Sequence, residues 1–287
     1  MAAMVSHRGE PLASCLTYHR GVPQTRNPSA AEATGSWWVL ALVGVVGGLL
    51  SGAFGVGGGI LMVPLLVSLV GMDHRRAAAT SLVAIVPTSI AGSLSYLSRG
   101  EADVLVAVIA AAGGMAGSAL GSWLLRRIHL ALLRWLFLAL LVGVAIRLLT
   151  AVPTRGGEVS LTLLSGLAVV GLGAVTGVAA GLFGIGGGVI LVPAFVVLFG
   201  FSDLLAKGTS LVAMIPTATV GTIANLRARQ VDLRAGAMVG VAATAASFVG
   251  VAAAFLVPPR MSSVLFAALL LLAASQILVR MVRGRST

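Results

Sequence analysis

Charge is what this sequence has least of. Only 9% of its 287 residues are Asp, Glu, Lys or Arg, and 58% are hydrophobic, whereas a soluble domain carries about 25% charge. So little charge cannot cover a surface facing water, which excludes a soluble fold and places the chain in lipid. The weak alternating pattern of a transmembrane barrel is also missing, and the long apolar runs suit helices. Cysteine is nearly absent: Cys15 stands alone, so an intrachain disulfide and a thiolate metal cage are both ruled out. All eight acidic residues (Glu10, Glu32, Asp73, Glu101, Asp103, Glu158, Asp203, Asp232) lie in the N-terminal tail or between apolar segments. The four histidines, His7, His19, His74 and His129, are equally peripheral. No carboxylate is placed for a mid-membrane proton relay, and zinc hydrolysis has no ligands to work with. The sequence therefore predicts no enzyme, no metal and no cofactor.

The net charge of +11 does not signal nucleic acid. The basic residues are scattered singly or in pairs between apolar runs, as orientation signals and headgroup contacts are, and form no basic face studded with aromatics. Residues 1–36 read as a polar tail without the apolar core of a secretory signal, and Trp37 and Trp38 read as the interfacial anchor of the first span.

What the chain does have is repetition. Gly52-Ala-Phe-Gly-Val-Gly-Gly-Gly-Ile-Leu-Met-Val-Pro64 returns as Gly181-Leu-Phe-Gly-Ile-Gly-Gly-Gly-Val-Ile-Leu-Val-Pro193, and Thr80-Ser-Leu-Val-Ala returns as Thr209-Ser-Leu-Val-Ala. Gly52 to Gly181 and Thr80 to Thr209 are the same 129 residues apart, so one membrane unit has been duplicated. The sequence predicts a first repeat over 37–150, a linker over 151–160, a second repeat over 161–281 and a basic C-terminal tail over 282–287. Each repeat divides into five apolar segments, beginning Trp37–Ala53, Gly58–Gly71, Ala77–Leu97 in the first. Repeated halves with glycine-broken hydrophobic segments mark secondary transporters.

Five segments per repeat is an odd number, which inverts the second copy. With both termini cytoplasmic, fourteen of the nineteen basic residues lie inside. Treating each glycine-broken block as a single span gives parallel repeats and leaves twelve inside. The positive-inside rule favours inversion. The charges do not separate re-entrant hairpins from two thin crossings at the glycines.

The chemistry is predicted to reside at Gly55, Gly57, Gly58 and Gly59 and their twins Gly184, Gly186, Gly187 and Gly188. Clustered glycines unwind a membrane helix, and freed backbone at that depth must line a cavity or be buried in protein. The helix that starts immediately afterwards presents unpaired N–H groups and a positive dipole end, which suit an anion. Thr80, Ser81, Thr209 and Ser210 are expected to add neutral hydroxyls to that site, with Thr88 and Thr217 further along the same segments. Pro64 and Pro193 should kink the short pieces, and Pro87 and Pro216 should break the third segments, giving four hinges. Lys207, the only lysine, either draws an anion inward or snorkels to the interface. Asn225 could bond a ligand or cap a helix, and Asp103 and Asp232 open segments as N-caps.

The doubled glycine motif and the Thr-Ser-Leu element resemble the TauE/SafE family of membrane permeases, over roughly residues 37 to 281. The resemblance implies a multi-pass protein of the cytoplasmic membrane that exports sulfite or another sulfur-containing anion. It also implies that both glycine clusters, with Thr80 and Thr209, face the substrate. The expected fold is thus an all-α polytopic membrane protein of two inverted repeats. Its expected partners are a small anion and the bilayer, and its oligomeric state is left open. A lipid-phosphate flippase and a non-transporting scaffold remain as alternatives.

Overall fold

The computed structural model describes residues 37–150 and 163–283. The expectations for the tail 1–36, the linker 151–160 and residues 284–287 lie outside the described residues. Within them the chain is helical and contains no strand. The first copy forms α1 (Trp37–Phe54), α2 (Gly59–Leu69), α3 (His74–Leu97), α4 (Val104–Arg127) and α5 (Leu130–Thr150). The second forms α6 (Leu163–Phe183), α7 (Gly188–Phe199), α8 (Asp203–Arg227), α9 (Leu233–Leu256) and α10 (Pro259–Arg283).

Eight of these helices are long and apolar enough to cross a bilayer. The other two, α2 and α7, have 11 and 12 residues, well short of the roughly 20 that a span needs. Helix starts follow their caps. The Asp73 carboxylate accepts from Arg75 N–H at 3.1 Å, so α3 begins three residues before the predicted segment. Ser202 Oγ accepts from Leu205 N–H at 3.1 Å and starts α8 at Asp203. Asp103 and Asp232 cap α4 and α9 through Val106 and Ala235 N–H, both at 3.0 Å. At the other end α10 runs to Arg283, two residues into the predicted C-terminal tail.

The four prolines do not break their helices: Pro64, Pro87, Pro193 and Pro216 all lie inside continuous helix. Beside the two third-segment prolines, Pro87 and Pro216, Thr88 and Thr217 donate back to Ala84 O (2.7 Å) and Ala213 O (2.8 Å). Such back-bonding occupies hydroxyls that a ligand could otherwise use.

Helices pack across the copies. α4 lies along α6, and the equivalent α9 lies along α1. Lipid provides no hydrophobic drive for helix association, so small residues that let backbones approach must supply it. Gly113, Gly117 and Gly121 of α4 face Gly173, Gly177 and Gly181 of α6 in register, and a Cβ on any of the six would overlap backbone of the other helix. On α1, Gly44, Gly48 and Gly52 meet α9 in the same way. The equivalent helices α3 and α8 run antiparallel where they cross, with Gly92 against Leu211 and Gly221 against Leu82. Contacts of residue i with j therefore recur between their partners 129 residues away, the reciprocity of a two-fold axis.

Candidate functional site

At each glycine cluster the helix stops and the chain doubles back. Gly55, Gly57 and Gly58 have φ of 68°, 75° and 71°, and Gly184, Gly186 and Gly187 have 70°, 76° and 92°. Only glycine enters that region without steric cost. A Cβ on Gly58 would overlap the Gly47 backbone in α1, and the Met62 side chain of α2 covers the same glycine. The break is therefore a hairpin and not a straight crossing. Gly187 returns less tightly to Thr176, the counterpart of Gly47, whose carbonyl oxygen lies 3.2 Å from the position of a Cβ.

The two breaks meet. The space beside Gly59 is taken by the Gly184 carbonyl and Ile185 Cα, and the space beside Gly188 by the Gly55 carbonyl and Val56 Cα. Each break is held by a serine from the other copy. Ser81 Oγ donates to Gly184 O at 2.7 Å and to Ala78 O at 2.8 Å. Ser210 Oγ donates to Gly55 O at 2.7 Å and to Lys207 O at 2.8 Å. These hydroxyls are committed to the scaffold.

The short helices beyond the breaks start without side-chain caps. Among the described residues, the N–H groups of Gly57, Gly58, Gly59 and Ile60 find no acceptor, nor do those of Gly186, Gly187, Gly188 and Val189. All eight residues are buried. A buried amide left unpaired costs about 1–3 kcal/mol, so the arrangement is poised for an acceptor. Ile85 and Met214 close the gap between the breaks, and both touch the positions a Cβ would take on Gly57 and Gly186. This apolar plug is not legible in the sequence, because equivalent residues differing in type read as ordinary helix core.

Thr80 and Thr209 sit one turn before the plug. Thr80 Oγ1 accepts from Asp232 N–H at 3.1 Å, and Thr209 Oγ1 accepts from Asp103 N–H at 2.9 Å. Each threonine thus holds the start of a helix from the other copy, and among the described residues its own hydroxyl proton has no acceptor.

The charged surroundings are not duplicated. Lys207, 1% exposed, turns its ammonium to Asp203 Oδ2 at 2.5 Å and to Ser262 Oγ of α10 at 2.8 Å. Its backbone packs against Gly55. Asn225 donates to Ser122 Oγ (3.3 Å) and Gly221 O (3.0 Å), while its Oδ1 stays buried without a partner. Where α3 begins, a pocket of about 480 Å³ is lined by Asp73, Arg75, Arg76, Arg229 and Gln230. Arg76 reaches from there to Asp232 Oδ2 at 2.9 Å. Its counterpart at the start of α8 carries Leu204 and Leu205 in place of the arginine pair.

Comparison with known proteins adds a family and several relatives. The family model for the sulfite exporter TauE/SafE matches residues 3–148 and 169–287. The chain is similar to the probable membrane transporter protein YunE of Bacillus subtilis (strain 168), 24% identical over 67% of this chain and 78% of that protein. A probable membrane transporter protein of Xylella fastidiosa (strain 9a5c) is 34% identical over 67% of this chain and 72% of its own length.

Proposed function

The chain belongs to the sulfite exporter TauE/SafE family of membrane transporters, and we propose that it is a secondary permease for a small anion, sulfite or an organosulfur anion, working by alternating access in the cytoplasmic membrane. The observation that carries this reading is the set of eight unpaired, buried N–H groups where the two breaks meet. Each short helix adds roughly half a positive charge at its N-terminus. An oxyanion takes up both features without a side-chain charge, so it is held and can still be released. Thr80 and Thr209 supply the hydroxyl protons left free at the flanks, and Ser81 and Ser210 keep the breaks in place.

With the copies inverted across the bilayer, the antiparallel crossing of α3 and α8 sets two equivalent routes on opposite sides of the plug. The arginine-lined pocket then faces the cytoplasm and concentrates anions at the inner mouth. Displacing Ile85 and Met214 toward one side opens that route, and the prolines two residues beyond each give α3 and α8 a point of bending. The membrane potential alone is sufficient to expel a bound anion. In this reading the protein binds and moves its substrate and does no covalent chemistry.

Potential-driven flux of labelled sulfite into liposomes holding the purified protein tests the reading. Wild type is expected to carry sulfite, and Gly58→Val and Gly187→Val are expected to drop to background while remaining inserted. Unchanged flux in both variants removes the site from the glycine breaks. No flux of any sulfur anion by folded wild type returns the choice to a lipid-phosphate flippase or a scaffold.

A further inference from the structure

Helices α3 and α8 end in the same turn, bond for bond. Gln230 N–H donates to Asn225 O at 3.1 Å and Arg229 N–H to Leu226 O at 2.9 Å. In the first copy Glu101 N–H donates to Tyr96 O and Gly100 N–H to Leu97 O, both at 3.0 Å. A helix that closes this way puts one residue in left-handed backbone, and that residue is usually glycine. Gly100 has φ of 73°, and Arg229, in the same place, has 54°. Among the described residues no other non-glycine has positive φ. The conformation is unfavourable for a side chain, so the second copy carries a cost that its twin avoids.

Arg229 lines the pocket of about 480 Å³ together with Asp73, Arg75, Arg76 and Gln230. Among the described residues its guanidinium makes no hydrogen bond or ion pair. Arg75 donates to Ile128 O at 2.6 Å but keeps a buried Nε without a partner. Arg76 pairs with Asp232 Oδ2 at 2.9 Å. The two carboxylates here are engaged as helix caps, Asp73 on Arg75 N–H and Asp232 on Ala235 N–H. Three guanidiniums and two carboxylates leave one positive charge over, and arginine keeps its proton at any working pH. At the other mouth Ser202, Leu204, Leu205, Gly100 and Glu101 take the matching positions, with no cation among them. Arg99 precedes Gly100 there, but it lies over the Phe255 ring, 4.2 Å from the centroid.

The pocket also borders the transport site. Arg76 and Thr80 share one face of α3, a single turn apart, and both hold Asp232: Arg76 bonds its carboxylate, and Thr80 accepts from its N–H. We infer that Arg75, Arg76 and Arg229 form an oxyanion-selecting site at this mouth, which favours groups with several oxygens on one centre over a halide. Backbone N–H groups and helix dipoles attract anions in general, so the glycine breaks alone discriminate poorly against chloride. A guanidinium fork presents paired donors that match two oxygens of one group, and a spherical ion satisfies only part of that pattern. Specificity is a difference of affinities, and here it is set before the anion reaches the breaks. Sulfite, sulfonates and the phosphate of a lipid headgroup share the chemistry that fits.

The role in transport rests on the anion-permease reading, whereas binding does not, so the test takes them apart. Calorimetry with inorganic sulfate on the purified protein in maltoside detergent reads binding alone. Gly187→Val blocks a break and leaves the mouth to be measured. In that background Arg229→Gly should weaken sulfate binding about tenfold, the scale of a lost charged hydrogen bond. Arg227→Gln, at an exposed residue of the same helix end that does not line the pocket, should leave it unchanged. Arg229→Gly restores the residue of the equivalent turn, so its unfolding temperature should hold or rise and misfolding cannot explain the loss. Unchanged sulfate affinity in Arg229→Gly overturns the site. Added phosphatidylglycerol identifies the source: sulfate that stays bound marks a soluble ligand, and sulfate displaced marks a lipid headgroup and overturns the selecting role. In liposomes, wild-type sulfite flux should withstand added potassium chloride. Arg229→Gly should show inhibition by chloride and a KM raised about tenfold. Screening by the salt is common to both proteins, so equal inhibition overturns selection at the mouth. Sulfate binding without any sulfite flux by wild type upholds the site and overturns the permease reading.

Discussion

Behind the first glycine break stands Lys207, and at the equivalent position behind the second stands Ala78. The whole cluster differs in the same way: Asp203 corresponds to His74, and Ser262 to Leu133. The backbone of the two breaks is nevertheless the same, down to matched φ angles and matched serine bonds. Duplication has thus kept the part that works through main chain and allowed the charges to diverge. The main-chain geometry of the break is common to both copies, whereas the buried ion pair belongs to one.

The comparison breaks most severely where the copies touch. Gly59→Ala and Gly188→Ala each push a methyl into the carbonyl and Cα of the opposite break. Both should lose sulfite flux completely and destabilise the protein by about 1–3 kcal/mol, the usual cost of overpacking; flux and thermal unfolding in detergent check this. A variant with normal flux would mean that the breaks separate during transport. Next in size comes the contrast of Gly58→Ala with Gly187→Ala. Both place a side chain at positive φ, a cost of about 1–2 kcal/mol. A Cβ at Gly58 would also lie 2.2 Å from the Gly47 carbonyl oxygen, whereas at Gly187 the nearest backbone atom, Thr176 O, is 3.2 Å away. Gly58→Ala should therefore show the larger fall in unfolding temperature, and equal falls would mean that α1 yields freely at Gly47. The smallest effect is expected from Ser81→Ala and Ser210→Ala, each losing about 1 kcal/mol for its bond to a break carbonyl. Their unfolding temperatures should match, because each serine makes one bond to the opposite break and one within its own helix.

Much of this architecture is legible in the sequence. The 129-residue offset placed every equivalent pair, the glycine clusters marked the breaks, and Asp103 and Asp232 proved to be the caps their positions suggested. The eight spans and two short pieces follow from apolar run length. Proline misled, because local chemistry predicts a broken helix at Pro87 and Pro216 while tertiary packing holds both helices continuous. The role of Ser81 and Ser210 was hidden for another reason: their acceptors lie 103 and 155 residues away, and no local pattern encodes such a bond. Asp203 looked peripheral because it sits between apolar runs, and Lys207 because it opens one and could snorkel; contact with Ser262 of α10 and Phe54 of α1 accompanies their burial. The glycine stripes of α4 and α6 were present in the sequence at a spacing of four, and their meaning depended on knowing which helix each one faces.

Those stripes also decide what can move. Where every methyl would strike a carbonyl, two helices are in effect one rod, and bending or sliding between them is not available. α4 is locked to α6, and α1 to α9, yet each rod takes one helix from either copy. The covalent halves of the chain are therefore not its mechanical halves. A hinge drawn at the linker between the copies would have to shear both rods. The joint with freedom to work is instead the crossing of α3 with α8, where bulky side chains rather than backbones meet.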